Sequence, residues 1–217
     1  MKKDKIAIQG ELGAYSHIAA NDLFKDAEIK TCATFEETFK QAYENENFKI
    51  IIPIENSLAG RVADIHYLLP KYKLQIHGEY FLNVEHNLLS KPEATINDIK
   101  FVRSHAQAIG QCQKVINKNK FQSIISADTA GSAKELAEGS DKSIAAIASS
   151  LSAKIYKLKI LEKNVEDEKG NVTRFLIMGK NISQPEFNKE KKYITSCIFR
   201  LKSEPSALYK CLGGFAT

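Results

Sequence analysis

A continuous apolar run at residues 50–54 (IIIPI) constrains the fold of this chain more than any other stretch. Such a run suits a strand that is covered on both faces in a parallel sheet, because a half-exposed strand would alternate apolar and polar residues. It is far shorter than the roughly 20 apolar residues that span a bilayer. Since predicted strands and amphipathic helices alternate around it, we expect an α/β protein with no membrane partner.

The composition narrows the possible functions. The chain has 217 residues, 43% hydrophobic and 26% charged, which is enough for a sizeable core or for two lobes. The formal charge of +5 comes from scattered lysines, so we predict no nucleic-acid partner, although the positive field would suit an anionic substrate. The four cysteines form no CxxC pair and no apolar signal core is present. We therefore expect no metal, no disulfide framework and a cytoplasmic location.

Residues 74–89 interrupt the alternation of strands and helices. Two extended stretches, 74–82 and 84–89, follow each other without a helix between them. We interpret them as a crossing between two lobes, with the chain returning near residue 165. Lobe 1 would then comprise about residues 1–83 and 165–180, lobe 2 would comprise about residues 84–164, and a ligand would lie between them.

Polar side chains follow several predicted strands at the point where each strand ends. Asn56 and Ser57 come after the apolar run, Ser104 follows a strand at 100–103, and Thr129 follows one at 121–126. Ligands of α/β folds bind beyond the carboxyl ends of strands, so these residues are candidates for one site. Ser57 has the alternative of capping the next helix, and Ser104 begins a capping-box pattern. Gln111 falls off the buried stripe of its helix and could face a cleft.

Residues 171–175 (NVTRF) bring a hydroxyl, a guanidinium and an aromatic ring to the start of a strand. The planar fork of Arg174 fits a carboxylate. The Thr173 hydroxyl can both donate and accept a hydrogen bond, and Phe175 offers a ring face. The stretch is therefore a plausible cradle for a small, ring-shaped anion.

Taken together, the motifs resemble those of the prephenate dehydratase family, and they occur in the same order across nearly the whole chain. They are residues 10–16 (GELGAYS), 53–60 (PIENSLAG), 104–107 (SHAQ) with Gln111 and Cys112 beyond them, 128–130 (DTA) and 171–175 (NVTRF). One departure is Ala106, where the family usually has proline. The resemblance implies a two-lobed, hinged, periplasmic-binding-protein-like (type II) catalytic domain over residues 1–180.

The activity implied by the resemblance is the decarboxylating dehydration of prephenate to phenylpyruvate, CO2 and water in phenylalanine biosynthesis. This lyase reaction makes the ring aromatic and needs no metal and no organic cofactor. Two alternatives stay open. One is an arogenate dehydratase, and the other is a non-catalytic module that binds a small anion in the same fold.

The resemblance also implies roles for individual residues. The essential threonine of the family corresponds to Thr173, which would hydrogen-bond or protonate the leaving hydroxyl. Its substrate-contacting residues correspond to Asn56, Ser104 and Gln111, and Arg174 would anchor a carboxylate. We add three neighbouring residues to the expected substrate site. These are Ser57, Thr129 and Phe175.

The end of the chain resembles the opening of a regulatory ACT domain. A polar linker at 181–192 precedes an alternating strand at 193–201 and a helix from about residue 204. Ser206 stands where the family usually has glycine, and Ser206, Ala207 and Leu208 would form an incomplete regulatory site. We expect 193–217 to be a cut-short, poorly packed fragment of this ferredoxin-like α+β domain, because one strand and one helix cannot bury their apolar faces. A phenylalanine effector is expected only with a complete ACT domain, and the family resemblance implies a homodimer or homotetramer.

Overall fold

The computed structural model describes residues 3–180, 186–193 and 199–216. The chain divides into two compact units, Met1–Ser183 and Gln184–Thr217. The first unit carries all the described strands, so the candidate site is sought there.

The first unit alternates strands and helices along most of its length, as the sequence predicts. Its strands are β1 (Lys5–Gln9), β2 (Glu28–Cys32), β3 (Phe48–Asn56), β4 (Gly60–Arg61), β5 (Gln75–Asn83), β6 (Asn87–Ser90), β7 (Phe101–His105), β8 (Gln122–Ser126), β9 (Ile144–Ala148), β10 (Lys159–Glu162) and β11 (Val172–Gly179). Its helices are α1 (Tyr15–Leu23), α2 (Phe35–Glu44), α3 (Ala63–Tyr72), α4 (Ala106–Gln111), α5 (Gln113–Asn119), α6 (Thr129–Glu138) and α7 (Ser150–Ile155), with a 3-10 turn at Ile96–Asp98.

The strands form two sheets, one in each lobe. The sheet of lobe 1 has the order β2-β1-β3-β11-β5, with β4 paired to β3, and the sheet of lobe 2 has the order β10-β6-β9-β7-β8. The chain passes from the first sheet to the second between β5 and β6, and it returns to the first sheet in β11. The predicted α/β fold with two sheets is therefore confirmed.

Strand β3 is buried on both faces, which confirms the interpretation of the apolar run. Ile50 and Ile52 belong to a cluster with α2 and α3 residues, whereas Ile51 belongs to a cluster with α1 residues on the opposite face. All three are fully buried. Pro53 lies within this strand, and the register with β11 shifts beside it, between Arg174 and Phe175. A bulge of this kind accommodates a residue that has no N–H for the ladder.

The loop after β1 forms a junction between the two lobes. The Gly13 carbonyl accepts hydrogen bonds from Ser149 Oγ at 2.6 Å and from Ser152 Oγ at 3.1 Å, and the Leu12 carbonyl accepts one from Tyr156 Oη at 2.9 Å. Ser149 caps α7, so the loop of lobe 1 is held at the start of a lobe 2 helix. We call these residues (Leu12, Gly13, Ser149, Ser152 and Tyr156) the loop latch.

The start of α4 differs from the predicted capping box. Strand β7 continues through Ser104 to His105, and the imidazole of His105 accepts the cap bond from the Gln107 N–H. Ser104 is fully buried and donates to the Ile147 carbonyl at 2.7 Å. The sequence pattern placed the end of the strand too early, because a serine before a helix also fits a buried strand when a neighbouring carbonyl accepts its hydroxyl.

The second unit contains one helix among its described residues, α8 (Ala207–Ala216). Ser206 has a left-handed backbone conformation with φ 64° just before this helix. Most of the predicted strand at 193–201 lies outside the described residues, as do the first five positions of the predicted linker. In the described segments, no helix has the length and apolar character needed to cross a membrane.

Candidate active site

A cavity of about 470 Å³ lies between the two lobes of the first unit. It receives residues from the ends of β1, β3 and β7, from the starts of α1, α3, α4 and α6, and from the returning strand β11. Five of the predicted site residues line this cavity. They are Asn56, Gln111, Thr129, Thr173 and Phe175. The carboxyl ends of the strands therefore converge on one site, as expected for an α/β fold.

Thr173 is held at the cavity by Asn56, which is itself bound to a second asparagine. Asn56 Nδ2 donates to Thr173 Oγ1 at 2.9 Å and to Asn171 Oδ1 at 2.6 Å. Thr173 and Asn56 are also register partners on β11 and β3, so the sheet itself fixes their separation. Only 9% of Thr173 is exposed, and its hydroxyl reaches the cavity that it lines.

The hydrogen bonds continue from these residues across the back of the cavity to lobe 2. Asn171 Nδ2 lies 2.9 Å from Gln111 Oε1, and the same oxygen lies 3.0 Å from His86 Nε2. His86 Nδ1 lies 2.8 Å from Tyr15 Oη. We call the six residues Thr173, Asn56, Asn171, Gln111, His86 and Tyr15 the amide chain.

The directions of the bonds from Asn56 to His86 follow from the partners of the Asn56 amide oxygen. The backbone N–H groups of Leu58 and Ala59 donate to Asn56 Oδ1 at 3.0 and 2.8 Å, so this oxygen must be the acceptor and Nδ2 must face Asn171. Asn171 then presents Oδ1 to Asn56 and donates its own amide to Gln111. Gln111 consequently presents an oxygen to His86, which carries a proton on Nε2.

His86 is neutral in this arrangement. Burial lowers its pKa, and the hydrogen bond with Gln111 and the charge of Glu166 offset only part of that effect. A neutral imidazole with a proton on Nε2 offers Nδ1 as an acceptor, and the single proton of Tyr15 Oη is shared between this nitrogen at 2.8 Å and the Glu85 carbonyl at 2.9 Å. Burial also raises the pKa of Tyr15 well above its usual value, which keeps the phenol protonated.

Three predicted site residues do not line the cavity. Ser57 Oγ donates to the Gly170 carbonyl at 3.0 Å and accepts from the Val172 N–H at 2.9 Å, so it holds the returning chain. Ser104 is enclosed in lobe 2 by its bond to Ile147. The third is Arg174, which does not face the cavity as we expected from the NVTRF motif.

Arg174 points away from Thr173, because successive side chains of a strand alternate between faces. Its guanidinium lies 3.0 Å from Glu55 Oε1 and 2.7 Å from Glu79 Oε2, and it stacks over the Phe81 ring. The hydrogen bond that Arg174 donates to Glu55 is the main reason that the pKa of Arg174 is raised. Arg174 is thus engaged by two carboxylates on the outer face of the sheet.

Sequence reasoning missed several polar residues of the cavity lining, and four of them are central to the site. Tyr15, Arg61, His86 and Asn171 all line the cavity. Tyr15 and Asn171 lie inside the quoted motifs and Arg61 immediately follows one, so proximity to a motif was the available signal. His86 lies at the crossing between the lobes, and that position was its only signal. Within the described segments, no group of three or more histidine, cysteine or acidic side chains could hold a metal.

The fold and the site define a two-lobed α/β protein with a polar, inter-lobe cavity for a small molecule. The sequence model of the family described as "Prephenate dehydratase" matches residues 6–183. The chain belongs to the prephenate dehydratase family, and this identification confirms the prediction made from its motifs.

Curated relatives agree with this assignment. A "Bifunctional N-acyl-homoserine lactone acylase/prephenate dehydratase" of Komagataeibacter europaeus is 38% identical over 98% of this chain and 75% of the relative. The "Prephenate dehydratase" of Methanocaldococcus jannaschii is 37% identical over 94% of this chain and 75% of the relative. An "Arogenate dehydratase/prephenate dehydratase" of Arabidopsis thaliana is 38% identical, and the chain spans 54% of its length.

Solved structures share the fold. The quorum-quenching acylase GqqA superposes with a TM-score of 0.83 at 36% identity, over 98% of this chain and 77% of that chain. The prephenate dehydratase of Arthrobacter aurescens, solved with L-Phe, also gives a TM-score of 0.83, over 98% of this chain and 72% of that chain. Its identity is 23%, so this match concerns the fold alone.

Proposed function

We propose that this chain converts prephenate to phenylpyruvate, CO2 and water, as a carbon–oxygen lyase of phenylalanine biosynthesis. The ring carboxylate of prephenate leaves as CO2, and its bonding electrons move into the ring. The ring C–O bond breaks at the same time, and the departing hydroxide takes a proton to become water. Because the product ring is aromatic, the protein has to orient the substrate and assist the leaving hydroxide.

The observation that carries this proposal is the orientation of Thr173. Its Oγ1 accepts a hydrogen bond from Asn56 Nδ2, so its own proton is left to point elsewhere. Among the described residues, no protein acceptor takes that proton. The hydroxyl is thereby set up as a donor toward the cavity, where it can hydrogen-bond the leaving oxygen. Since threonine is a weak acid, a correctly placed hydrogen bond contributes more than full proton transfer.

The electrostatics of the cavity also support an anionic substrate. Helix α1 begins at the cavity, and its N-cap Ala14 provides no side-chain cap. Ser16, in the first turn of the same helix, is 7% exposed and lines the cavity. No acidic side chain lies in this first turn. The positive end of the helix is therefore left available to a carboxylate.

The test is turnover of prephenate by the wild-type chain, Thr173→Val and Thr173→Ser. Valine keeps the shape of threonine but removes the hydroxyl, so we expect kcat to fall by about 10²- to 10⁴-fold. Serine keeps the hydroxyl and should retain part of the activity. Near-normal turnover by a folded Thr173→Val variant would contradict the assigned role. Parallel assays with arogenate measure the preference for the keto or the amino side chain.

We also propose that the tail begins an ACT-like regulatory unit and that the protein functions as an oligomer. The start of α8 immediately after Ser206 supports this proposal, as do the exposed apolar side chains Leu208, Tyr209, Leu212 and Phe215. In a longer chain that includes a complete ACT domain, phenylalanine should inhibit turnover. The same longer chain with Ser206→Gly tests whether residue 206 affects this inhibition. Turnover of both proteins would be measured against phenylalanine concentration.

A further inference from the structure

We propose that Arg61 binds the side-chain carboxylate of the substrate, which is the carboxylate that the product retains. This inference rests on the proposed function and deepens it, because it assigns a binding residue for one end of the substrate. The expected anchor, Arg174, is engaged by Glu55 and Glu79 and does not line the cavity, so the cavity requires a different cation.

Arg61 is placed beside the reacting groups by the short strand β4. It is the register partner of Glu55, and Gly60 is the partner of Asn56, which holds Thr173. Arg61, Gly60 and Asn56 all line the cavity. The short strand therefore brings an arginine to the lining of the cavity that Thr173 also lines.

The guanidinium of Arg61 is uncommitted, unlike that of Arg174. Throughout 3–180 and the described tail segments, no carboxylate pairs with Arg61 and no hydrogen bond to its side chain is formed. It is also the one arginine or lysine among the described residues that line the cavity. Its potential partner Glu55 is already held by Arg174. A planar fork of donors is thus left free for a bidentate contact with a ligand carboxylate.

The other charges around the cavity favour an anion at this position. Asp128 is the acidic residue among the described lining, and its carboxylate is committed to capping α6 through the Gly131 N–H. Helix α3 begins at Ala63, two residues after Arg61, and the acidic side chain of its first turn, Asp64, lies outside the cavity lining.

The chemistry decides which of the two carboxylates Arg61 holds. The ring carboxylate loses its charge in the transition state as CO2 forms, so a cation bound to it would stabilise the ground state more than the transition state. The side-chain carboxylate keeps its charge throughout. Binding there is uniform between ground and transition states, so it lowers KM without slowing the chemical step. Arg61 is therefore assigned to the retained carboxylate.

The test compares Arg61→Gln and Arg61→Lys with a control variant, Arg103→Gln. Arg103 pairs with Glu135 at 2.6 Å and lies outside the cavity lining, so its replacement changes the net charge equally without touching the site. For Arg61→Gln we expect KM for prephenate to rise about 10- to 100-fold with kcat changed little, because a charge-assisted pair is lost. The inhibition constant of phenylpyruvate should rise by the same factor. Lysine should restore part of both, and Arg103→Gln should change neither.

Three results would overturn the assignment. The first is a KM of Arg61→Gln within twofold of wild type. The second is a raised KM with unchanged inhibition by phenylpyruvate, which would place Arg61 on the carboxylate that is lost. The third is a fall in kcat with an unchanged KM. If the wild-type chain does not turn over prephenate at all, the proposed function fails by itself, and calorimetric titration of phenylpyruvate into wild type and Arg61→Gln still decides whether Arg61 binds a carboxylate.

Discussion

The amide chain and the loop latch both join the two lobes, beside the Lys134–Glu11 ion pair, and these two junctions are built from different groups. The amide chain crosses the back of the cavity through side chains on both sides, from Thr173 of lobe 1 to Gln111 of lobe 2. The loop latch instead joins backbone carbonyls of lobe 1 to hydroxyls of lobe 2. Side chains that must accept and donate in a fixed direction can position a substrate, whereas backbone acceptors mainly hold the lobes together. The two junctions should therefore respond differently to substitution.

The largest expected effect is Gly13→Ala in the loop latch. Gly13 has φ +94°, and a Cβ built on it would lie 2.8 Å from the Cα of Ser152, so the backbone of α7 would have to move. We expect the free energy of unfolding to fall by about 2–4 kcal/mol, from the left-handed conformation and the forced shift together. Urea denaturation would measure this loss.

Gly10→Ala is a matched control for this substitution. Gly10 has nearly the same backbone conformation, φ +93°, but an added Cβ would meet only the Ala14 Cβ at 3.9 Å. Its cost should be confined to about 1–2 kcal/mol for the backbone alone. Equal losses of stability for the two variants would show that the close contact between Gly13 and α7 does not contribute to stability. That result would contradict the role assigned to the loop latch.

The next effect should come from breaking the amide chain with Gln111→Leu. The Asn171 amide and the His86 Nε2 proton both lose their acceptor, so stability should fall by about 1–3 kcal/mol. In contrast to a latch variant of similar stability, it should lower kcat at least tenfold, since Asn171 no longer fixes Asn56 and Thr173. Gln122→Leu is the stability control because Gln122 is an exposed glutamine of the same lobe outside the cavity lining. Unchanged kcat in Gln111→Leu would limit the amide chain to a structural role.

A smaller effect is expected from acid, which acts on one histidine in each junction. His17 Nδ1 accepts the Gly13 N–H at 3.0 Å beside the latch, and His86 Nδ1 serves the amide chain. Burial lowers the pKa of both. As pH falls below about 6.5, the unfolded chain binds protons that these folded histidines resist, so stability decreases toward their folded pKa values. The contribution is present above that range and is lost within it.

Unfolding measured between pH 7.5 and 5 would separate the two junctions. His17→Leu and His86→Leu should each flatten the pH dependence, with a limiting slope of about 1.4 kcal/mol per pH unit for each proton. His77, on β5, also has a pKa lowered by burial, so the wild-type slope includes it. Identical slopes in the wild type and the two leucine variants would contradict neutral, buried histidines.

Much of the fold was predictable because local patterns agreed with long-range packing. The apolar run is buried as the sequence indicates, and Thr34 and Asp128, which are residue types that favour N-caps, cap α2 and α6. The caps depend on contacts within a few residues, and such contacts are encoded locally.

The site was predictable only in part, because partners distant in sequence decide where a side chain is used. Arg174 looks like an anion anchor until Glu55 and Glu79 are brought beside it, 119 and 95 residues away along the chain. Ser104 looks like a cap until the Ile147 carbonyl is placed over it. Arg61 and His86 reach the cavity because the two sheets bring distant segments together. The sequence around each of them contains no local pattern that indicates a role in the site.

The smallest expected effect is Tyr156→Phe in the loop latch. The phenol donates to the Leu12 carbonyl, and its removal should cost about 0.5–1.5 kcal/mol, since water can reach this edge of the latch and replace the donor. The buried hydroxyls of Ser149 and Ser152 still hold Gly13 in this variant, so kcat and KM should stay near their wild-type values. Ser149→Ala also removes the cap of α7 and should cost more. A large fall in kcat for Tyr156→Phe would mean that the latch, too, positions the substrate, and the distinction between the two junctions would not hold.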